Sequence, residues 1–164
     1  MAYGDPEGGG VGGWLALLVL ILAAFRPLAL VFSAYANLYG DPRVALAYGA
    51  AWGSLQLFEW LLIAATIAGC WFVAWRLNSR PVRSSVKIAI AGIWILSLGY
   101  LLIDTIGVAL IGHIPLALLF GAVVPSAVQG LIFSVLWTAY LLKSKRVANT
   151  YMRHDEAGVA EVFG

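Results

Sequence analysis

Four long apolar segments alternate with short polar connections along this chain of 164 residues. A helix needs about 20 mainly apolar residues to cross the hydrocarbon core of a bilayer. Because lipid offers no hydrogen-bond partner to backbone amides, a single segment that crosses it must be helical. The segments of sufficient length cover residues 14–35, 55–75, 88–111 and 115–142. The pattern predicts an all-α integral membrane bundle of four transmembrane helices, with a transmembrane domain over residues 14–142.

The connections between these segments carry signals for caps and turns. Asp41 precedes Pro42 in the first connection, and an acidic residue before a proline is a typical start of a helix. We therefore predict a short interfacial helix between spans one and two or, alternatively, an outward extension of the second span. The third connection, residues 112–114, is so short that the third and fourth spans must form an antiparallel hairpin.

The two ends of the chain differ from the spans in composition. Residues 1–13 contain a glycine run and no Lys or Arg, which is typical of a flexible lead and not of an export signal. Residues 143–164 are first basic and then acidic. We predict a flexible N-terminal segment and a cytoplasmic tail on either side of the transmembrane domain.

The distribution of Lys and Arg predicts the orientation of the bundle. The segment before the first span and the third connection contain neither residue. The connection after the second span and the tail contain four each: Arg76, Arg80, Arg83, Lys87, Lys143, Lys145, Arg146 and Arg153. Basic connections remain in the cytoplasm, so we predict that both termini are cytoplasmic. Five of these side chains are expected to meet anionic lipid headgroups, at about 1 kcal/mol per charge: Arg80, Arg83, Lys143, Lys145 and Arg146.

Composition and motifs exclude several classes of protein. Hydrophobic residues make up 62% of the chain and charged residues 11%, a balance that excludes a soluble or disordered protein. A net charge of +2 without a basic stripe argues against a nucleic-acid partner. Cys70 is the single cysteine, and His113 and His154 form no ligand pair within the spans, so we expect no metal or other cofactor. Without a Gly-x-Ser-x-Gly motif, we expect no catalytic residues.

Three charged residues interrupt the apolar segments: Arg26, Glu59 and Asp104. A charged side chain in the middle of a bilayer costs about 2.5 to 3.5 kcal/mol unless it finds a partner. Counted from the cytoplasmic side at 1.5 Å per residue, Arg26 lies about 18 Å deep and the two carboxyls about 24 and 25 Å deep. We therefore predict that the three meet in the outer half of the bundle, where Gln129 of the fourth span completes an intramembrane polar cluster.

This polar cluster allows two interpretations. One Arg cannot neutralise two carboxylates, so either one acid is protonated or the pair faces a wet cavity. Such a group can bind a proton, an ion or a polar headgroup; alternatively, it fixes which helices pack together. The corresponding functions are an accessory or scaffold subunit of a larger membrane complex, a small proton- or ion-coupled transporter or lipid-binding protein, and a membrane enzyme. Small size and missing motifs favour the first, with membrane lipid and either a membrane-protein complex or a second copy of the chain as partners.

Short motifs at both ends of the transmembrane domain carry a family resemblance. The run Gly-Gly-Trp-Leu opens the first span at residues 12–15, and Ser-Lys-Arg-Val and Thr-Tyr follow the last span at residues 144–147 and 150–151. With Arg-Pro in the first span and an acid in the second, this order resembles the bacterial membrane proteins catalogued as domain of unknown function 2569. The resemblance implies four spans and a bacterial inner-membrane location, and that family has no assigned activity. The positions that match its pattern are Trp14, Arg26, Glu59, Lys145 and Arg146.

Overall fold

The computed structural model describes residues 13–80 and 82–151. The predicted N-terminal segment, apart from Gly13, and the acidic part of the predicted tail lie outside these ranges. Within them the chain is 93% helical and has no strands. Four helices are long and apolar enough to span a membrane: Trp14–Tyr39, Pro42–Ser79, Arg83–Gly112 and Val123–Lys143. The predicted all-α bundle with four spans is therefore confirmed, and we refer to these helices as the first to fourth spans.

A short helix, Pro42–Tyr48, connects the first two spans. It begins as predicted, because the carboxylate of Asp41 accepts a hydrogen bond from the N–H of Arg43 at 2.9 Å. A 3-10 turn, Gly49–Ala51, then leads into the long helix Trp52–Ser79. The connection is therefore a separate capped helix that continues through this turn into the second span, and its position in the membrane interface stays a prediction.

Successive spans pack against each other: the first against the second, the second against the third, and the third against the fourth. Buried apolar side chains concentrate at the end of the bundle where the first span begins and the second span ends. We call this end the basic end, because the Lys and Arg residues of the second connection and the tail also lie there. Its apolar core consists of Leu15, Leu18, Leu22, Cys70, Val73, Ala74, Leu77, Val86, Ala89, Ile93, Leu96, Leu141, Val147 and Tyr151.

A short tail helix, Lys145–Tyr151, packs against the basic end. Tyr151 is fully buried, and its hydroxyl donates a hydrogen bond to the carbonyl of Leu77 at 2.6 Å. Burial, with a smaller contribution from nearby Tyr140, raises the pKa of Tyr151 to about 12. The phenol is therefore protonated at neutral pH and keeps this hydrogen bond, which fixes the start of the predicted tail to the second span.

Pro27 changes the hydrogen bonding of the first span without ending the helix. In an α-helix the carbonyl of Ala23 would accept the N–H of residue 27, which proline lacks. The helix makes a π turn at Ile21–Phe25, and the Ala23 carbonyl accepts the indole N–H of Trp71 at 2.9 Å. A side chain of the second span thus supplies the donor that proline removes, as backbone in a bilayer requires.

A second π turn, Ile95–Gly99, lies in the third span. The N–H of Tyr100 bonds to the carbonyl of Ile95, five residues back, whereas in an α-helix it would bond to the carbonyl of Leu96. The Leu96 carbonyl is therefore available to a donor from another helix. Each π turn presents one carbonyl to a side chain of a neighbouring span.

The pairing of Trp71 with the Ala23 carbonyl predicts a non-additive pair of substitutions. Trp71→Phe leaves the carbonyl without its indole donor and should lower the free energy of unfolding by about 1 kcal/mol. In a Pro27→Ala background, residue 27 has an N–H that can bond to the same carbonyl, so the cost of Trp71→Phe should be smaller. Unfolding titrations of the four proteins in mixed micelles measure the difference.

Trp14→Phe is the matched control for this cycle, because Trp14 is an exposed tryptophan at the start of the same span as Pro27. Its cost should be equal in both backgrounds. An equal cost of Trp71→Phe in both backgrounds would show that the indole does not replace the missing backbone donor.

Candidate functional site in the bundle interior

The guanidinium of Arg26 is partly buried inside the bundle and contacts two other spans. It donates one hydrogen bond to the hydroxyl of Ser97 at 3.0 Å and another to the carbonyl of Leu96, which the π turn leaves available. It also lies over the ring of Phe133 in the fourth span, 5.8 Å from the ring centre. Arg26 therefore links the first span to the third and the fourth.

The second span completes this level of the bundle with Cys70, which is fully buried and within electrostatic range of Arg26. We call Arg26, Cys70, Ser97, Phe133 and the Leu96 carbonyl the arginine layer. All four spans contribute to it. Because the bonds of Arg26 go to a hydroxyl and a carbonyl, the positive charge is stabilised by dipoles and by an aromatic face, which need no carboxylate.

Glu59 of the second span and Asp104 of the third form a separate acid pair. Their side chains lie within electrostatic range of each other, and Oδ1 of Asp104 is buried with no hydrogen-bond partner in the described ranges. Tyr48 and Tyr100 lie within electrostatic range of both carboxyls. Two neighbouring carboxylates repel each other in the interior of a bundle, so the acid pair is a place where a proton can be bound and released.

Close packing of the second and third spans brings the two acids within reach of each other. Phe58, next to Glu59 in the chain, lies against the backbone of Gly107, one turn beyond Asp104. A Cβ atom at residue 107 would overlap the ring of Phe58. With glycine at this position, Phe58 packs directly against the backbone of the third span, and the close approach places Glu59 beside Asp104.

The structure divides the predicted polar cluster into two levels. It brings Glu59 and Asp104 together, but the hydrogen bonds of Arg26 go to Ser97 and Leu96, and Ser97 lies two turns, about 10 Å, from Asp104 along the third span. Side chains of a helix lean toward its N-terminus. Since the first span begins at the basic end, Arg26 leans away from the acids, which the depth arithmetic did not take into account.

Gln129, the fourth predicted member of the polar cluster, is exposed on the fourth span. Ser126, one turn away, is also exposed and has an interaction of its own. Polar residues are costly in lipid, and for this reason Gln129 was predicted to line the interior of the bundle. The structure instead leaves its amide on a face that the other three spans do not cover.

Several groups of the two levels were not identified by the sequence argument. The Leu96 carbonyl and Phe133 of the arginine layer gave no polar signal, and the Tyr48 phenol near the acid pair lies outside the apolar segments. The Ala23 carbonyl could have been identified, since it lies four residues before Pro27 and must lose its α-helical donor.

The basic residues predicted to meet lipid headgroups lie at the basic end. Arg80, Arg83, Lys143 and Lys145 are exposed there, and the guanidinium of Arg80 lies over the ring of Trp75 at 5.6 Å. Arg146 belongs to the tail helix, and its side chain lies outside what the structure describes. In the described ranges, no three His, Cys, Asp or Glu side chains come together in a group that could hold a metal ion.

Comparison with known proteins places this architecture in a family. No curated protein and no solved structure matches the chain. A family model, described as protein of unknown function (DUF2569), matches residues 9–152, which include all four spans, both levels of the interior and the tail helix. The chain therefore belongs to the DUF2569 family of proteins of unknown function.

Proposed function

We propose that this protein is an accessory or scaffold subunit of a larger complex in a bacterial inner membrane. It binds a partner membrane protein through its fourth span. The first support is how little of the fourth span the bundle itself covers. Only 6% of its most apolar stretch is buried, compared with 22% to 28% for the other three spans. The bacterial address rests on the family resemblance.

The exposed amide of Gln129 is the observation that supports this proposal most strongly. It lies about 20 Å from either end of the helix Leu116–Lys143, a depth that corresponds to the middle of a bilayer. An exposed amide at this depth is costly in lipid unless it finds hydrogen-bond partners, and interhelical bonds of this kind contribute about 1–2 kcal/mol or less. The occupant that fits this face is a helix of another membrane protein that offers a polar group to Gln129.

Crosslinking from the exposed face tests this function. A photoreactive residue at position 129 should give one discrete adduct with a different membrane protein, at several-fold higher yield than the same residue at position 131. Leu131 is the matched control, because it is apolar and exposed at almost the same depth but points about 200° away around the helix. Gln129→Leu should lower the fixed-ratio copurification of that partner in mild detergent without loss of stability, whereas Val128→Leu should leave it unchanged.

Two results would contradict the proposal. Equal adduct yields at positions 131 and 129 would mean that the Gln129 face has no specific occupant. An adduct formed only with a second copy of this chain, identified by its mass, would mean that the protein assembles with itself and is not a subunit of another assembly.

The proposed orientation has both termini in the cytoplasm, and the charge distribution supports it. Arg43, at the start of the second span, is the one Lys or Arg between residues 27 and 75, whereas the basic end carries six described cations. In intact cells, an impermeant maleimide should therefore label Arg43→Cys and not Asn78→Cys. The wild type should stay unlabelled because Cys70 is fully buried. Labelling of position 78 and not of position 43 would show that the protein has the opposite orientation.

A second candidate function, a small proton- or ion-coupled transporter, is favoured by the acid pair. Two neighbouring carboxyls can bind or release one proton, and so change their charge by one, while they stay between the second and third spans. The vesicle assay for this function measures proton flux with a trapped pH dye. A transporter should lose most of its flux on Glu59→Gln or on Asp104→Asn and keep it on Lys87→Gln, since Lys87 is exposed and lies about 25 Å along the third span from Asp104. Flux that is absent in the wild type or unchanged in both variants would rule this candidate out.

A further inference from the structure

The charged side chains of the basic end are all positive, and no carboxylate of the described ranges neutralises them. Six cationic side chains lie there: Arg76, Arg80, Arg83, Lys87, Lys143 and Lys145. The carboxylates of the described ranges, Asp41, Glu59 and Asp104, all lie toward the other end of the bundle. Glu59, for example, is about 30 Å along the helix from the end of the second span. Within the described ranges the cations of the basic end therefore have no carboxylate partner, and they attract an anion.

Arg76 is partly buried, whereas the other five of these cations are exposed. Its guanidinium reaches from the second span to the third and donates a hydrogen bond to the hydroxyl of Ser84 at 3.3 Å. Its Nε is buried and has no hydrogen-bond partner in the part of the chain that the structure describes. A buried donor of a charged group without an acceptor is costly. An anion beside Ser84 would supply acceptor oxygens to the guanidinium.

The surroundings of Arg76 add two further groups that favour a phosphate. Arg80 is held over the ring of Trp75, which keeps a second guanidinium at the level of the helix ends. The third span begins at Arg83 after Val82, which provides no side-chain cap, and there is no acid in its first turn. The positive end of this long helix is therefore uncompensated and adds to the field at Ser84.

We propose that Arg76, Ser84 and Arg80 form a binding site for the phosphate of an anionic phospholipid such as phosphatidylglycerol. The site lies where the second and third spans end, which is the level of the headgroups for helices of this length. Trp75 belongs to the residue type that marks this interface. A lipid there joins the second span to the third and is independent of a partner on the fourth span. Arg76 was counted for orientation only in the sequence argument, and the structure gives it this additional role.

Native mass spectrometry of the full-length protein in mild detergent tests the site. With equal amounts of phosphatidylglycerol and phosphatidylcholine, the wild type should retain the anionic lipid about tenfold better. Arg76→Gln should reduce this preference about tenfold, the scale of one charge-assisted hydrogen-bonding group. Arg43→Gln removes one cation at the opposite end and should behave as the wild type.

Three outcomes would overturn the proposal. The wild type could bind the two lipids equally, or Arg76→Gln could retain phosphatidylglycerol as well as the wild type does. Alternatively, millimolar inorganic phosphate could displace the lipid completely, which would indicate a site for a soluble anion. If Arg76→Gln does not fold, the site is tested by the lipid preference of the wild type and by the variant Ser84→Ala. Because Ser84 is exposed, removing its hydroxyl should weaken the retention of phosphatidylglycerol without affecting the core.

Discussion

The bundle depends on how the positive charge of Arg26 is accommodated between four apolar helices. An unpartnered charge at this depth would cost several kcal/mol, and the chain provides Arg26 with a hydroxyl, a backbone carbonyl and an aromatic face instead of a carboxylate. The carbonyl of Leu96 is available only because the third span makes a π turn. Thus the π turn of the third span provides a hydrogen-bond acceptor for the arginine of the first span. These contacts fix the first, third and fourth spans relative to each other at this level.

Much of this fold was predictable from the sequence, and the physical reason is the bilayer. The requirement for about 20 apolar residues determined all four spans, and Asp41 before Pro42 determined the start of the connecting helix. The partners of Arg26 were not predictable in the same way. Depth along a helix axis gives the position of a Cα atom, whereas the lean of a side chain toward its helix N-terminus decides which level of the bundle it reaches.

The positions of polar groups separate three regions with different chemistry. The acid pair can hold a proton, the arginine layer holds the spans together, and the basic end carries six cations and no carboxylate within the described ranges. Gln129 belongs to none of these regions, since it lies on the outside of the fourth span. A small protein whose most exposed span carries an amide at mid-depth is better suited to join another helix than to enclose a substrate, because four spans enclose little volume.

The measurement that tests this account most directly is a pair of double-mutant cycles on unfolding in mixed micelles. One cycle combines Arg26→Ala with Ser97→Ala, and the other combines Arg26→Ala with Asp104→Asn. The account predicts that Arg26→Ala alone costs about 3 kcal/mol and that its coupling to Ser97 exceeds its coupling to Asp104. A stronger coupling to Asp104 would contradict the division into two levels and would restore a single cluster of Arg26, Glu59 and Asp104.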